Sequence, residues 1–581
     1  MRRRDVLKAF AVAAISGALP RIGFAAGDDP YDIGRFGNAR VLHMTDTHAQ
    51  LLPVYFREPS VNIGVGAMAG HPPHLVGQAL LQHFGIAPGS RAAYAFTCLD
   101  YAEAAHRYGR MGGFAHLKTL VDRLRADAGS PGNSILLDGG DLWQGSGLAD
   151  ATAGADMVEA ANLLGIAAMT GHWEFTYGEK VLRQNLARFK GEFVAQNVFL
   201  TDEAAFNNAP AFDADSGRVF KPAIVEDVGG HRIGIVGQAM PYVPIAHPKR
   251  FTPDWTFGIR DAELQKVVDR LRQQDKVDAV ILLSHNGMDV DLKLASRVTG
   301  IDVILGGHTH DAVPQPSLVA NAGGKTFVTN AGSSGKFLAV LDLDIGKGRV
   351  NEARYHLLPI YANLIEPDAA MAALIERLRA PHRAKFGERL ATADALLYRR
   401  GNFIGPMDQL ICDALRAELD AQIALSPGFR FGATVLAGDP ITMEDVLTET
   451  AITYPEVYVQ EMSGSQIKAI MEDIADNLFN TDPYYQQGGD MVRIGGMDYA
   501  CVPNEATGRR ISDMTLDDGK PLQADKTYRV AGWASVNPQS GKPVSEIVAG
   551  YLRAEKTVKF KRINRVTLKG MIANPGIAEE G

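Results

Sequence analysis

The feature that most constrains the fold of this chain is a series of short polar clusters spaced along its first half. At least four of them directly follow an apolar run that is typical of a buried β-strand. The carboxyl ends of neighbouring strands in open α/β folds converge on one crevice, so we expect the clusters to meet in space. In chain order they are Asp46-Thr47-His48, Gly139-Gly140-Asp141, Gly171-His172-Trp173-Glu174, Ser284-His285-Asn286-Gly287 and Gly306-Gly307-His308-Thr309-His310.

These clusters carry the side chains that bind divalent metals. A single polar residue after a strand is usually a helix cap or a turn residue, but five such coincidences in series are not expected. Imidazole and carboxylate without thiolate suit Mn, Fe, Zn or Ni. Two ions roughly 3.5–4 Å apart can supply hydroxide and clamp the oxygens of a phosphoryl or sulfuryl centre, which predicts hydrolysis of an anionic substrate. The predicted ligands are Asp46, His48, Asp141, His172, His285, His308 and His310.

Length, charge and the N-terminus limit the class of protein. A chain of 581 residues predicts two or more domains, and a net charge of −8 without a basic stripe argues against nucleic acid as a partner. Arg3-Arg4 and the apolar stretch after it fit a twin-arginine export signal over residues 1–26, with cleavage near Ala25-Ala26. The stretch is too short to span a membrane. We therefore predict a periplasmic protein that is not held in a membrane, with an uncleaved amphipathic terminus as the alternative.

The pattern of apolar residues predicts how the chain is divided. Strands alternate with helical patterns over residues 37–360, interrupted at 52–111 by a Pro- and Gly-rich segment that we interpret as a cap near the site, or else as disorder. A helical pattern ending near Pro381 predicts a connector over 361–385. A second α/β domain is predicted for 386–569, and a flexible tail for 570–581.

The ordered motifs resemble those of the calcineurin-like metallophosphoesterases, and within that family the 5′-nucleotidase branch. The resemblance implies a four-layer αββα domain followed by a smaller mixed α/β domain of the 5′-nucleotidase C-terminal type. It also implies that Asp46, His48 and His310 hold one ion and that His172, His285 and His308 hold the other. Asp141 would bridge the two ions, and a hydroxide held between them would be the nucleophile.

One departure points to a subfamily. Where nucleotidases carry G-N-H-E-F-D, this chain has His172-Trp173-Glu174 and then Thr176, so the catalytic histidine and its aspartate partner are absent. This pattern resembles the SoxB thiosulfohydrolases of periplasmic sulfur oxidation. That resemblance implies two Mn ions, with Zn or Fe also possible, and a carrier protein that presents a cysteine-bound thiosulfonate on a flexible C-terminal arm. Among the supporting residues, we expect Glu174 to orient His172, and Trp173 and Tyr242 to line a slot for an extended peptide arm. In the second domain, Asn402 and Arg430 match motifs of the 5′-nucleotidase C-terminal type and are the other candidate substrate contacts, with Arg430 expected to pair with sulfonate oxygens.

Two other functions stay open. The first is a nucleotidase or a broad phosphomonoesterase or phosphodiesterase with an altered proton donor. The second is a metal-stabilised protein that binds the carrier without catalysis, although a complete ligand set argues against it. The second-domain candidates also have structural interpretations, because Asn402 could belong to a turn and Arg430 to a surface ion pair.

Overall fold

A computed structural model describes residues 29–578, which fall into two compact units. The first unit contains residues 29–53, 110–144 and 151–378. The second contains residues 54–109, 145–150 and 379–578. The predicted export signal lies outside the described residues.

The first unit is built on two six-stranded sheets. One sheet has the strand order β14-β13-β1-β2-β3-β4, and the other has the order β11-β12-β10-β9-β7-β6. A short ribbon pairs β5 with β8. The strands are β1 Ala39–Met44, β2 Ser134–Asp138, β3 Ala168–Met169, β4 Glu192–Phe193, β5 Phe199–Leu200, β6 Ala223–Val228, β7 His231–Gln238, β8 Trp255–Thr256, β9 Ala279–Ser284, β10 Val303–Gly306, β11 Ser317–Asn321, β12 Gly324–Asn330, β13 Phe337–Gly346 and β14 Arg349–Pro359.

The two sheets share one apolar core. Val41 and Leu137 of the first sheet lie in the same buried cluster as Ile281 and Leu305 of the second. Helices cover the outer faces, which gives the four-layer α/β architecture predicted from the sequence. The helices of this unit are Phe114–Asp127, Ala155–Leu164, Gly178–Arg188, Asp202–Phe206, Val243–Ala246, Asp261–Gln273, Met288–Arg297 and Ala369–Arg379.

Strand register places the polar clusters at one edge. β1 is parallel to β2 with Met44 opposite Asp138, and β9 is parallel to β10 with Ser284 opposite Gly306. The residues that follow these pairs therefore leave both sheets at their carboxyl ends, where ligand sites form in α/β folds.

The second unit contains three smaller sheets. They have three, four and three strands, and both parallel and antiparallel pairs occur. Its strands are Arg389–Ala393, Ile423–Ser426, Pro440–Thr442, Val457–Ser463, Arg493–Gly495, Met497–Cys501, Ile511–Leu516, Thr527–Trp533, Thr557–Val558 and Val566–Leu568. Its helices are Gly77–Phe84, Arg91–Phe96, Tyr101–Tyr108, Arg383–Phe386, Pro406–Glu418, Met443–Glu449, Gly464–Phe479 and Val544–Glu555, and Gly147–Thr152 begins in it.

Two segments expected to be irregular or flexible contain regular contacts. The alternative of disorder for 52–111 does not hold, because the segment contains three helices and most of it packs within the second unit. The predicted flexible tail is also structured as far as Ala578, where the amide donates to the carbonyl of Ser60 at 2.7 Å and Val61 pairs with Ile577. Both segments are ordered by contacts with each other, which neither segment reveals alone.

No helix within residues 29–578 is both long enough and apolar enough to cross a membrane.

Candidate metal centre

The structure brings all seven predicted ligands into two buried groups that share one aspartate. In each group the candidate ligand atoms lie within 4.8 Å of one another. Asp141 belongs to both groups, and the membership of each is the one that the family resemblance implies for each ion. The first group is Asp46, His48, Asp141 and His310, and the second is Asp141, His172, His285 and His308.

Asp141 lies at the centre of this arrangement. Its Oδ2 is 3.1 Å from His172 Nδ1, 3.1 Å from His285 Nε2 and 3.6 Å from His48 Nε2. Its other oxygen, Oδ1, accepts a hydrogen bond from the Trp173 amide at 2.7 Å. One oxygen therefore faces ligands of both groups while the other fixes the carboxylate, as a bridging ligand requires.

Backbone carbonyls orient two of the imidazoles. His48 Nδ1 lies 3.1 Å from the Gln144 carbonyl, and His285 Nδ1 lies 2.6 Å from the Gly139 carbonyl. A carbonyl accepts only, so Nδ1 of each ring carries a proton and Nε2 is the nitrogen that faces the carboxylates. Metal-binding histidines in proteins are commonly oriented by this kind of contact.

The spacing of the ligand atoms fits a coordination sphere. His48 Nε2 and His310 Nε2 are 3.0 Å apart, and His310 Nε2 is 3.3 Å from Asp46 Oδ1. Two ligands bound at about 2.1 Å and at right angles to each other stand about 3.0 Å apart, so these distances suit a divalent cation. The nitrogen and oxygen donors suit Mn, Fe, Zn or Ni and do not distinguish among these metals.

Backbone strain is concentrated in the same residues. Asp46, His48, Asp141, His308 and His310 all have positive φ, between 46° and 73°. Non-glycine residues in this region cost of order 1–3 kcal/mol each and persist where the surrounding structure imposes them, often at functional sites.

Glycines beside the ligands allow the groups to approach. A Cβ on Gly307 would lie 2.3 Å from Thr45 Oγ1 and 2.9 Å from Asp46 Oδ2. A Cβ on Gly140 would lie 2.9 Å from His285 Nδ1, and the φ of Gly140 is +97°. The paired glycines in these clusters are therefore required by close packing at the centre.

The electrostatic field of the centre favours a cation. Burial opposes charge on His285, but Asp141 and Asp46 outweigh it and raise the pKa of His285 to about 10. Burial would also raise the pKa of Asp141, yet the neighbouring imidazoles, His172 foremost, hold that pKa well below its usual range. The carboxylates that favour a proton on His285 equally favour a metal ion.

Glu174 supports the ligands through the backbone. It is fully buried, and its carboxylate accepts hydrogen bonds from four main-chain amides, two on each oxygen. The donors are the amides of His172, Asp141, Leu142 and Trp143, at 2.7 to 3.3 Å. Glu174 was predicted to orient His172. The structure shows that it holds the loops of the predicted ligands Asp141 and His172 together.

Trp173 packs beside the second group. Its ring centroid lies 5.2 Å from that of His172, and it stacks on His247 at 4.5 Å. Tyr242, predicted to line a substrate slot with Trp173, is half-buried and precedes the helix Val243–Ala246 that leads to His247. Sequence reasoning missed His247, which lies five residues after Tyr242 and has no metal-ligand spacing.

The two second-domain candidates share one hydrogen-bond acceptor. Asn402 Nδ2 and Arg430 Nε both donate to Asp490 Oδ1, at 3.2 and 3.3 Å, and Asn402 Oδ1 also accepts from the amide of Ile63 at 2.7 Å. These contacts give Asn402 a structural role within the second unit. Arg430 stays a proposed contact for an anionic group.

Comparison with known proteins gives a consistent result. Residues 39–312 match the family described as calcineurin-like phosphoesterase, and residues 392–539 match the 5′-nucleotidase C-terminal domain. The solved structure of the sulfate thiohydrolase SoxB of Thermus thermophilus is similar, with 34% identity and a TM-score of 0.86, covering 93% of this chain and 98% of that one.

Curated relatives agree in part. The 5′-nucleotidase of Rattus norvegicus is 30% identical over 466 residues, which are 72% of this chain and 76% of that protein. The trifunctional nucleotide phosphoesterase YfkN of Bacillus subtilis is 28% identical over 468 residues, which are 72% of this chain. The match spans only 30% of the length of YfkN.

Proposed function

Because this chain belongs to the 5′-nucleotidase branch of the calcineurin-like phosphoesterases, a family of metal-dependent hydrolases, we propose that it is a thiosulfohydrolase. The substrate is a cysteine-bound thiosulfonate, R–S–S–SO₃⁻. Water adds to the sulfonate sulfur and the bond to the sulfane sulfur breaks. The products are sulfate, the persulfide R–S–S⁻ and two protons, so the reaction needs no oxidant or reductant.

The observation that carries this proposal is Trp173, which stands beside a complete ligand set in place of a catalytic histidine. Trp173 is buried against His172, and Thr176 in the same turn is also buried. Neither side chain can supply a proton to a leaving group. The similarity to a sulfate thiohydrolase over nearly the whole chain supports the same assignment.

The chemistry of the leaving group explains how the reaction proceeds without that histidine. A general acid contributes about 10²–10⁴-fold when a poor leaving group must be protonated. A persulfide leaves as a stabilised anion, because sulfur carries negative charge at a lower pKa than an alkoxide oxygen does. A sulfur leaving group therefore needs less assistance at this position than the 5′-oxygen of a nucleotide.

The roles of the chain's own residues follow from the geometry. Asp46, His48 and His310 would hold one divalent ion, and His172, His285 and His308 would hold the other, with Asp141 between them. Such ions lower the pKa of bound water and stabilise charge on the substrate's oxygens. Glu174 holds the loops of Asp141 and His172 together, and Trp173 packs against His172 of the second group.

The finer parts of the proposal concern metal, partner and location. We take the ions to be Mn and the substrate to be carried on the flexible C-terminal arm of a carrier protein. The twin-arginine pattern in residues 1–26 supports export to the periplasm. Arg430 is the proposed contact for an anionic group of the substrate, because a guanidinium matches such oxygens with its forked donors.

A second candidate function is 5′-nucleotidase activity, which the curated relatives favour. One assay separates the alternatives. The purified protein is loaded with Mn and tested for sulfate release from a carrier that bears the cysteine-bound thiosulfonate and for phosphate release from AMP. Sulfate release supports the proposal and phosphate release alone supports the nucleotidase. Release of neither, with the carrier still bound, would indicate a binding protein.

Restoring the nucleotidase residues is expected to change the preferred substrate. The double substitution Trp173→His and Thr176→Asp supplies a proton donor and its partner, so AMP hydrolysis should rise by about 10²-fold or more. Sulfate release should stay level or fall. The measurement is kcat/KM for both substrates, with each single substitution as a control. An increase in sulfate release with no gain on AMP would refute this explanation of Trp173.

A further inference from the structure

The residues on either side of the ligand His285 are anchored to one buried carboxylate. Ser284 Oγ donates to Asp291 Oδ1 at 2.7 Å, and Asn286 Nδ2 donates to the same oxygen at 3.0 Å. All three side chains are buried. Asp291 lies on the helix Met288–Arg297, which follows the strand that carries Ser284.

This anchoring fixes the direction of the imidazole between them. Ser284 and Asn286 are both held by Asp291, so the chain is fixed on each side of His285. In this position His285 Nε2 lies 3.1 Å from Asp141 Oδ2. The amide of His285 is held as well, because it donates to the Gln238 carbonyl at 2.8 Å.

A chain of side-chain amides extends the network. Gln238 Nε2 donates to Asn286 Oδ1 at 3.0 Å, and Gln196 Nε2 donates to Gln238 Oε1 at 2.7 Å. The Asn286 amide therefore has a fixed orientation, with its nitrogen toward Asp291. The network lies within the first unit and uses no predicted metal ligand.

A purely structural role does not explain the carboxylate of Asp291, because burying a carboxylate costs free energy. It is 0% exposed, and among the described residues it makes no ion pair and its Oδ2 has no hydrogen-bond partner. A buried carboxyl group without a cation is disfavoured, and packing alone is better served by an apolar side chain. Its hydrogen bonds are made with Ser284 and Asn286, which flank the predicted ligand His285.

We propose that Asp291 is a positioning residue that aims His285 at the second ion. The proposal rests on the two-ion site of the proposed function. It predicts that Asp291 controls the affinity of the group formed by Asp141, His172, His285 and His308, and leaves the group of Asp46, His48 and His310 almost unaffected. Loss of the partners that orient a metal ligand typically weakens metal binding by about 10–100-fold.

The test measures manganese binding by the full chain with calorimetry and with electron paramagnetic resonance. Asp291→Ala should weaken the second ion by about 10–100-fold and replace the signal of coupled ions with that of an isolated one. Asp291→Asn keeps an acceptor oxygen and should restore part of the affinity. Ser284→Ala should weaken the second ion by less than Asp291→Ala does, because Asn286 keeps its contact with Asp291.

A matched control is Asp156→Ala. Asp156 is also buried in the first unit and accepts a hydrogen bond from a hydroxyl, that of Thr152 at 2.8 Å, but touches no ligand. Asp156→Ala should lower the melting temperature without selective loss of one ion.

The inference would be overturned if Asp291→Ala bound both ions with wild-type affinity. If Asp291→Ala does not fold, the same result from Asp291→Asn and Ser284→Ala would overturn it. Equal weakening of both ions would do the same. Wild-type protein that binds fewer than two ions would instead overturn the proposed function.

Discussion

Replacing Asp141 with alanine is expected to remove metal from both sites and to abolish hydrolysis. Its Oδ2 lies close to histidines of both groups, His48 on one side and His172 and His285 on the other. Without it, each site loses a negatively charged ligand. The ions should then be lost. Because bound ions lower the pKa of water from 15.7 to about 7, sulfate release should fall by at least about 10³-fold without them.

Metal content and sulfate release of Asp141→Ala should be measured on the same preparation. Asp138→Asn is the matched control, because Asp138 is equally buried but accepts a hydrogen bond from the Gly140 amide at 2.8 Å and belongs to neither ligand group. That variant should keep both ions. If Asp141→Ala retained two ions per chain, Asp141 would not be the bridging ligand.

Replacing Glu174 with alanine is expected to destabilise the first unit more than any surface substitution does. Four buried main-chain amides would lose their acceptor. Each buried donor left without a partner costs about 1–3 kcal/mol, so the free energy of unfolding should fall by about 4 kcal/mol or more. The loops that carry Asp141 and His172 would also separate, and metal binding should weaken.

Urea denaturation of the metal-free protein measures the first effect without the contribution of the ions. Glu179→Ala is the control, because Glu179 lies five residues later in a partly exposed i,i+4 pair with Arg183 and should change stability by at most about 0.5 kcal/mol. If Glu174→Ala were as stable as Glu179→Ala, the four amides could not depend on this carboxylate.

The ligand set could be predicted from sequence because it depends on local signals that the fold converts into proximity. Each ligand lies within a few residues of a strand end, and parallel pairing such as that of β1 with β2 brings those ends to one edge. The division between the two groups was implied by the family resemblance, and the structure groups the side chains in the same way.

Contacts that depend on tertiary packing alone could not be predicted. The carboxyl-terminal segment is held by long-range contacts such as the pairing of Ile577 with Val61, more than five hundred residues away. His247 and Asp291 have no motif of their own, and their partners Trp173 and Ser284 are defined by the folded chain. Asn402 satisfied a motif for substrate binding, yet its side chain is used to hold the Ile63 amide.

The most direct test of the central claim is a crystal structure of the manganese-supplied protein with anomalous data at the manganese edge. We predict two anomalous peaks roughly 3.5–4 Å apart, both beside Asp141, with the three remaining ligands of each group around one peak. No peak at these side chains, or a single peak away from Asp141, would contradict the account.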